Sequence, residues 1–509
     1  MKIKMLSRPT GDTTRDSKKA VFKVSSNPDP TLHPFERARE VRPPGAGPSG
    51  GKAAIAQAFR LASPLDLRRL PQYKRAVTAA KLERMHAKPF VRALEGHADG
   101  VYSMAASPTS LVALLSGSGD GEVRIWDVAH AKTMWSVFAH DGAVKGLSVG
   151  YDGTSFVSCG DDGTIKQYSL SLESLLGAVP TAEESSAAGS AAASSASAAA
   201  SAAAVAGGTV DPLNSWTLRY PVTGVDCRRM DETFLSSGGS YVEVWNPHRA
   251  SPVQRLTWGA DTVSCVRCSP SERHVVASAG TDRAVTLYDT RSGNPLRKLI
   301  MKMSVNAIDW NPREPMNFVA ACEDHNLYTF DMRRLDRART VHKDFVGAAM
   351  AVRFSPTGKE FVAGSYDRTV RLFPAAGGRS REVYYTKRMQ RVFAVHYSAD
   401  AKYVLSGSDD ANVRVWRARA SEAGGKLRER ERAAVEYRQA LTKRFGHLPE
   451  VRRILKYRAL PGSLKKAAKR KREAADSENR KLENRRIHSK DSEATREGER
   501  SKRIARERV

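Results

Sequence analysis

Seven times between Trp126 and Trp416 the chain runs an apolar strand pattern into an aromatic residue. The copies are VRIW closing at Trp126, IKQY at Tyr168, VEVW at Trp245, VTLY at Tyr288, NLYTF at Phe330, VRLF at Phe373 and VRVW at Trp416. The intervals between those aromatics are 42, 77, 43, 42, 43 and 43 residues. A unit of about 40–45 residues holds four short strands and cannot bury its own faces, so copies must stack side by side around a shared core. The interval of 77 is one unit plus about 35 residues, and an Ala/Ser-rich tract lies inside it. The period survives its one exception.

Trp126-Asp127 adds the dipeptide signature of a WD repeat, so the expected fold is all-β: a seven-bladed WD-repeat β-propeller, flanked by an N-terminal arm and a basic α-helical C-terminal extension. Blade 1 carries the fullest set of repeat residues. Gly96-His97 opens it and ALLSGSGDGEVRIWDV follows, setting His97, Ser116, Asp120 and Trp126 in a buried network. The serine takes the indole N–H, and the Asp120 carboxylate in the turn accepts from the histidine; such groups need full satisfaction once buried. Asp162, Asp282, Asp324, Asp367 and Asp410 recur six residues before their own aromatics. Blade 3, SSGGSYVEVW, lacks that aspartate and is expected to have a glycine-softened turn. A propeller must close or leave open sheet edges. The last repeat ends at its third strand, so Pro89 to Leu94 is expected to supply the missing outer strand, closing the ring over residues 88–417.

The chain has 509 residues, room for the ring and for sizeable tails, and a net charge of +28. That excess favours an acidic partner: nucleic acid first, an anionic membrane second, an acidic protein third. No stretch of 18 apolar residues exists and the N-terminus has no apolar core for a signal peptide, so no membrane partner is expected. Five cysteines (159, 227, 265, 268, 322) are few, odd in number and mostly inside strand patterns, which fits a reducing compartment without a disulfide framework. Cys265 and Cys268 form a CxxC, but no second pair or suitably spaced histidines accompany it. Positions i and i+3 of a strand face opposite ways, so no metal or other cofactor is expected there.

Around the ring the composition divides the chain. Residues 1–40 form an N-terminal arm, 41–70 a Pro/Gly insertion expected to be disordered, and 71–87 a helical lead-in. Residues 178–210, nearly all Ala and Ser, form a solvated loop between blades 2 and 3. Residues 418–509 hold 29 Lys+Arg against 14 Asp+Glu and read as helices. One has apolar or small residues at Leu427, Ala434, Tyr437, Leu441 and Phe445 with a stop at Gly446; a second runs from near Pro449 to before Pro461.

His97, Ser116 and Asp120 contain the residue types of a hydrolase triad, yet the aromatic and glycine frame around them makes them the blade network. Neither a nucleophile elbow nor an HExxH motif occurs, so no enzyme is expected. The sharpest charge cluster is Lys465, Lys466, Lys469, Arg470, Lys471 and Arg472, six basic residues in eight positions. It reads as a nuclear-import signal, an RNA-phosphate contact, or both. Few aromatics lie among these late basic residues, so base stacking is not supported there. Asp289 with Arg291, and Asp331 with Arg333, end two third strands with an acid and an arginine two residues on, as a surface ion pair would. They also look like the WD-x-Arg boxes by which some propellers dock on a cullin-RING ligase adaptor.

The flanks of the ring carry a more specific likeness. NPDPTLHPFERARE, RAVTAAKLERMHAKPFVRALEGHADGVYSM, KLRERERAAVEYRQAL and TKRFGHLPEVRRILKYRALP resemble the WD-repeat and SOF-domain family over nearly the whole chain except the two insertions. That resemblance implies a non-enzymatic scaffold of ribosome biogenesis in the nucleus and nucleolus. Such a scaffold would be a component of the small-subunit processome and its box C/D small nucleolar RNP, acting in 18S pre-rRNA processing and 40S assembly. The implied partners are processome proteins, pre-rRNA and small nucleolar RNA. Some animal relatives are described as substrate receptors of a cullin-RING E3 ubiquitin ligase, which is the alternative.

Overall fold

Strands that alternate apolar residues toward both sides need two buried faces, and stacked blades provide them. In the computed structural model each repeat forms an antiparallel four-stranded sheet, seven in all. The structure describes residues 64–170, 211–229, 231–258, 261–422, 425, 427–488 and 498–508. The expectations for 1–40, for the Ala/Ser loop at 178–210 and for most of 41–70 lie outside the described residues. All seven repeat aromatics are buried, from Trp126 to Trp416. They sit in seams that join neighbours: Val157 and Cys159 of blade 2 pack with Val225, Phe234 and Trp245 of blade 3. Burial of such large side chains is the main stabilising contribution of each seam.

The turn before each third strand shows why aspartate recurs there. Asp120 accepts the backbone N–H of Glu122 (3.2 Å), and Asp162, Asp282, Asp324 and Asp367 each accept from the residue two places on. This short carboxylate loop holds the intervening residue in the left-handed region: Gly121, Gly163, Arg283, His325 and Arg368 have φ of 85, 74, 64, 69 and 63°. A Cβ at Gly121 would collide with the carbonyl oxygen of His140, so only glycine fits. Blade 3 makes the turn through Gly239, φ 53°, without an aspartate.

Two sets of bonds link innermost strands of neighbouring blades. Near the start of the strand the register shifts in every blade, for example between Val222 and Gly224. In three blades the side chain at that bulge donates across the seam: Thr223 Oγ1 to the Val263 carbonyl (2.6 Å), Ser264 Oγ to that of Val305 (3.3 Å) and Asn306 Nδ2 to that of Ala349 (2.9 Å). Near its end, Ser148 Oγ, Asp226 Oδ2 and Asp309 Oδ2 accept the backbone N–H of Cys227, Cys268 and Phe354 in the following blade (2.9, 2.7 and 2.5 Å). The bulge turns a side chain toward the neighbour instead of leaving it in the sheet plane.

Ring closure uses the front of the chain. Phe90–Glu95 pairs antiparallel with Asn412–Arg417, Leu94 opposite Val413, and completes blade 7. Phe90 packs edge-on against Trp416 at 5.5 Å, and the Arg417 N–H donates to the Pro89 carbonyl (2.8 Å).

Two findings correct the segment reading. Helix α1 spans Pro64–Met85, so residues 64–70 are helical and not part of a disordered insertion. Proline is at home in a first helical turn, where its missing N–H has no partner to lose. The C-terminal region is also not helical throughout. Helices α2 (Glu429–Phe445), α3 (Pro449–Lys456) and α4 (Gly462–His488) are followed by a strand, Ile504–Arg508. That strand joins the outer strand of blade 4, Pro295–Met301, as a fifth member, Leu299 opposite Glu507.

The chain forms two compact units, the described part of the first being residues 64–82 and 427–455 and the second the ring with the remaining tail. Within the first, Ala76 and Ala80 of α1 are buried with Leu441 and Phe445 of α2, and with Leu448 and Val451. Alanines four apart form a shallow stripe that lets helices approach closely. Tyr73 lies edge-on to Phe445 (6.2 Å) and donates its hydroxyl to Glu450 (2.8 Å). Burial, with the Glu450 carboxylate beside it, pushes the Tyr73 hydroxyl above its usual range. Of the apolar positions read for α2, Leu441 and Phe445 are buried while Ala434 and Tyr437 face solvent.

Candidate functional site

The blade 1 network comes together around Ser116. Trp126 donates its indole N–H to Ser116 Oγ (2.6 Å), and His97 Nε2 meets the same oxygen (2.6 Å). The other end of the histidine differs from expectation. His97 Nδ1 lies 3.3 Å from Glu122 Oε2, within ion-pair distance but poorly directed for a hydrogen bond, and Asp120 bonds its own turn. Burial alone would raise the Glu122 carboxyl; its contacts to His97 and Arg124 hold it below the ordinary range. In blade 2, where the residue two past the turn aspartate is Thr164, the aspartate does face the histidine: Asp162 Oδ2 is 3.1 Å from His140 Nδ1. The longer Glu122 displaces Asp120 from that role.

His97, Asp120 and Glu122 bring ligand atoms within 4.8 Å of one another. The Arg124 guanidinium lies 2.8 Å from Glu122, already balancing that carboxylate and opposing a second cation. Cys265 and Cys268 pack into different seams, Cys265 with the blade 4–5 cluster and Cys268 with the blade 3–4 cluster.

The arginine boxes end the third strands of blades 4 and 5. Asp331 holds Arg333 with both carboxylate oxygens (3.2 and 3.1 Å), and the guanidinium remains 69% exposed. Hydrogen bonding to Arg333 draws the Asp331 carboxyl below its usual range. Asp289 accepts the backbone N–H of Arg291 (2.9 Å); among the described residues the Arg291 side chain makes no ion pair.

The basic cluster lies on α4, and the helix has two sides. Leu464, Ala467, Ala468 and Lys471 follow a helical stripe and are half-buried, whereas Lys465, Lys466, Lys469, Arg470 and Arg472 are exposed. Lys471 is therefore not part of the free charged surface. It donates to the Phe345 carbonyl (3.0 Å), and burial lowers its pKa. Lys469 pairs with Glu473 (3.6 Å) along the helix. Beyond α4, the backbone N–H of Ala338 donates to Arg500 O and that of Lys302 to Arg503 O (3.0 and 2.9 Å), and Arg297 reaches Glu507 (3.1 Å). The tail is thus fixed to the ring from within the basic helix and again beyond its C-terminal end. Sequence reasoning missed this strand because IARER sets only Ile504 and Ala505 beside three charges, and its pairing edge is about 200 residues away.

Among the described residues no helix is long and apolar enough to cross a membrane. A Sof1-like domain matches residues 418–504, and the WD domain, G-beta repeat, matches 88–127, 131–169, 250–289, 337–373 and 383–417. Those five segments fall on blades 1, 2, 4, 6 and 7; blade 3 is the one without the turn aspartate. Several similar proteins span almost their whole length. The DDB1- and CUL4-associated factor 13 of Xenopus tropicalis is 40% identical over 490 residues, 96% of each chain. The protein of the same name from Homo sapiens is 38% identical over the same span and coverage. Protein SOF1 of Saccharomyces cerevisiae is 37% identical over 503 residues, 96% of this chain and 92% of that one. A repeat ring, a basic tail fixed to it and likeness across both make this chain a member of the WD-repeat and Sof1-domain family.

Proposed function

We propose that the protein is a non-catalytic scaffold of ribosome assembly, a component of the small-subunit processome acting in 18S pre-rRNA processing and 40S assembly in the nucleolus. The observation that carries this reading is the basic helix α4, anchored to the ring by Lys471 and by the strand Ile504–Arg508, with its other basic residues exposed. Full-length likeness to protein SOF1 supports it. The ring offers rigid faces for processome proteins, and the exposed lysines and arginines suit the phosphates of pre-rRNA or small nucleolar RNA. Deleting 418–509 is expected to shift the protein from pre-ribosomal fractions to light fractions of a sucrose gradient and to slow 18S maturation, with the ring still cooperatively folded. Normal co-sedimentation and normal 18S production would refute the reading.

A second reading has its own observation, the exposed guanidinium of Arg333 in a box of the expected form, together with the names of several relatives. On that reading the ring is also a substrate receptor docking on a cullin-RING ligase adaptor. Replacing Arg291 and Arg333 by Ala should abolish adaptor pull-down; undiminished capture would exclude these boxes as the dock.

A further inference from the structure

The fifth residues of the innermost strands in blades 3 to 7 are Asp226, Arg267, Asp309, Arg353 and His396. They line a cavity of about 260 Å³ with Arg229 and the prolines 270, 312 and 356, and because five consecutive innermost strands border it, it lies at one end of the central channel. Part of this ring is explained by blade stacking. Asp226 takes the Arg267 guanidinium (3.1 Å) and the Cys268 N–H, and Asp309 takes that of Arg353 (3.3 Å) and the Phe354 N–H. Both carboxylates are thereby spent on staples between blades.

What the staples leave over is donor capacity. Each guanidinium has five N–H groups and gives one hydrogen bond to its aspartate. Arg267 Nε is buried without a partner. Arg229, exposed at the rim, adds a third guanidinium. Three guanidiniums thus face two carboxylates around the cavity. Burial and then Arg267 hold Arg353 below its usual range, while burial, Arg353 and Arg267 push His396 down to about 3. His396 also directs Nδ1 at the Tyr397 carbonyl (2.6 Å), a contact that opposes this lowering without reversing it. An oxyanion between them would take charge-assisted bonds from the N–H groups that the staples leave over.

We propose that this end of the channel binds one compact oxyanion, a phosphate or a carboxylate group, through the unused N–H groups of Arg267 and Arg353 with Arg229 at the entrance. The cavity is too small for a folded segment and suits a free anion or a single acidic group.

The test uses the full chain, titrated calorimetrically at fixed ionic strength with inorganic phosphate in one arm and glutarate in the other. Saturable binding of either is expected, and the arm that binds identifies the anion. Affinity should fall at least tenfold in Arg353→Gln and severalfold in Arg229→Gln. It should be unchanged in Lys132→Gln, which removes an exposed charge at the outer strand of blade 1. Should Arg353→Gln fail to fold, Arg229→Gln decides alone, since its exposed side chain takes no part in a staple. No saturable binding in either arm, or affinity unaltered by Arg229→Gln and by any folded Arg353→Gln, overturns the proposal.

Discussion

Ser116 serves two partners at once, accepting the Trp126 indole N–H and sharing a hydrogen bond with His97 Nε2, in a setting with no water-facing alternative. Ser116→Ala strands both, and should cost about 2–4 kcal/mol in urea unfolding, whereas Asp120→Asn, which touches only its own turn, should cost under about 1 kcal/mol. Equal losses would mean that Asp120 and not Glu122 completes the network. The sequence located His97, Ser116 and Trp126 by spacing, but spacing cannot say which of two nearby carboxylates reaches a histidine. That depends on side-chain length and on a turn that uses up the shorter one. A second residue-scale effect is a pH dependence. His342 is buried, its Nε2 3.0 Å from Thr329 Oγ1 and its ring edge-on to Phe361; burial pushes it down to about 4, with a Gly377 backbone contact and Asp344 opposing. Because the unfolded chain binds that proton near pH 6.5, stability from this group is complete above pH 6.5 and falls as pH drops toward 4. The slope is about 1.4 kcal/mol per pH unit at its steepest. Chemical denaturation from pH 7 to 4 should show a shallower slope in His342→Gln; an unchanged slope would assign the effect elsewhere.

At the scale of elements, the two strands lent by the flanks do different work. Phe90–Glu95 closes the ring, burying Leu94 and packing Phe90 on Trp416. Removing 88–95 exposes the edge of blade 7, and the product should lose its cooperative thermal transition or aggregate. Ile504–Arg508 covers an edge that is already part of a complete blade. Deleting 498–509 should speed amide exchange at Lys298–Met301 while leaving the ring's melting temperature within a few degrees. Protection unchanged at those amides would contradict the pairing. The first strand was legible because ring closure demands it and only one segment stands ready. The second was not, since charged alternation around one isoleucine reads as solvated tail. Nor could either flank alone reveal that α1 packs with α2 and α3: Ala76 and Ala80 look like ordinary helix formers until Leu441 and Phe445 are set against them.

For the whole molecule, the repeat fixes an architecture that serves many functions, and the flanks decide among them. Most of the ring could be read from period and turn chemistry, because each blade repeats one local solution. The channel cavity could not, since its residues are a strand position compared across five blades and each is unremarkable in its own repeat. The central claim is a division of labour: the ring docks proteins, and the exposed face of α4 meets RNA phosphate. Ultraviolet crosslinking in cells, with crosslinked peptides mapped by mass spectrometry, tests it directly. The account predicts RNA adducts concentrated in residues 462–488 and lost when Lys465, Lys466, Lys469, Arg470 and Arg472 are changed to Gln. Adducts confined to the blades, or an unaltered pattern in that variant, would contradict it.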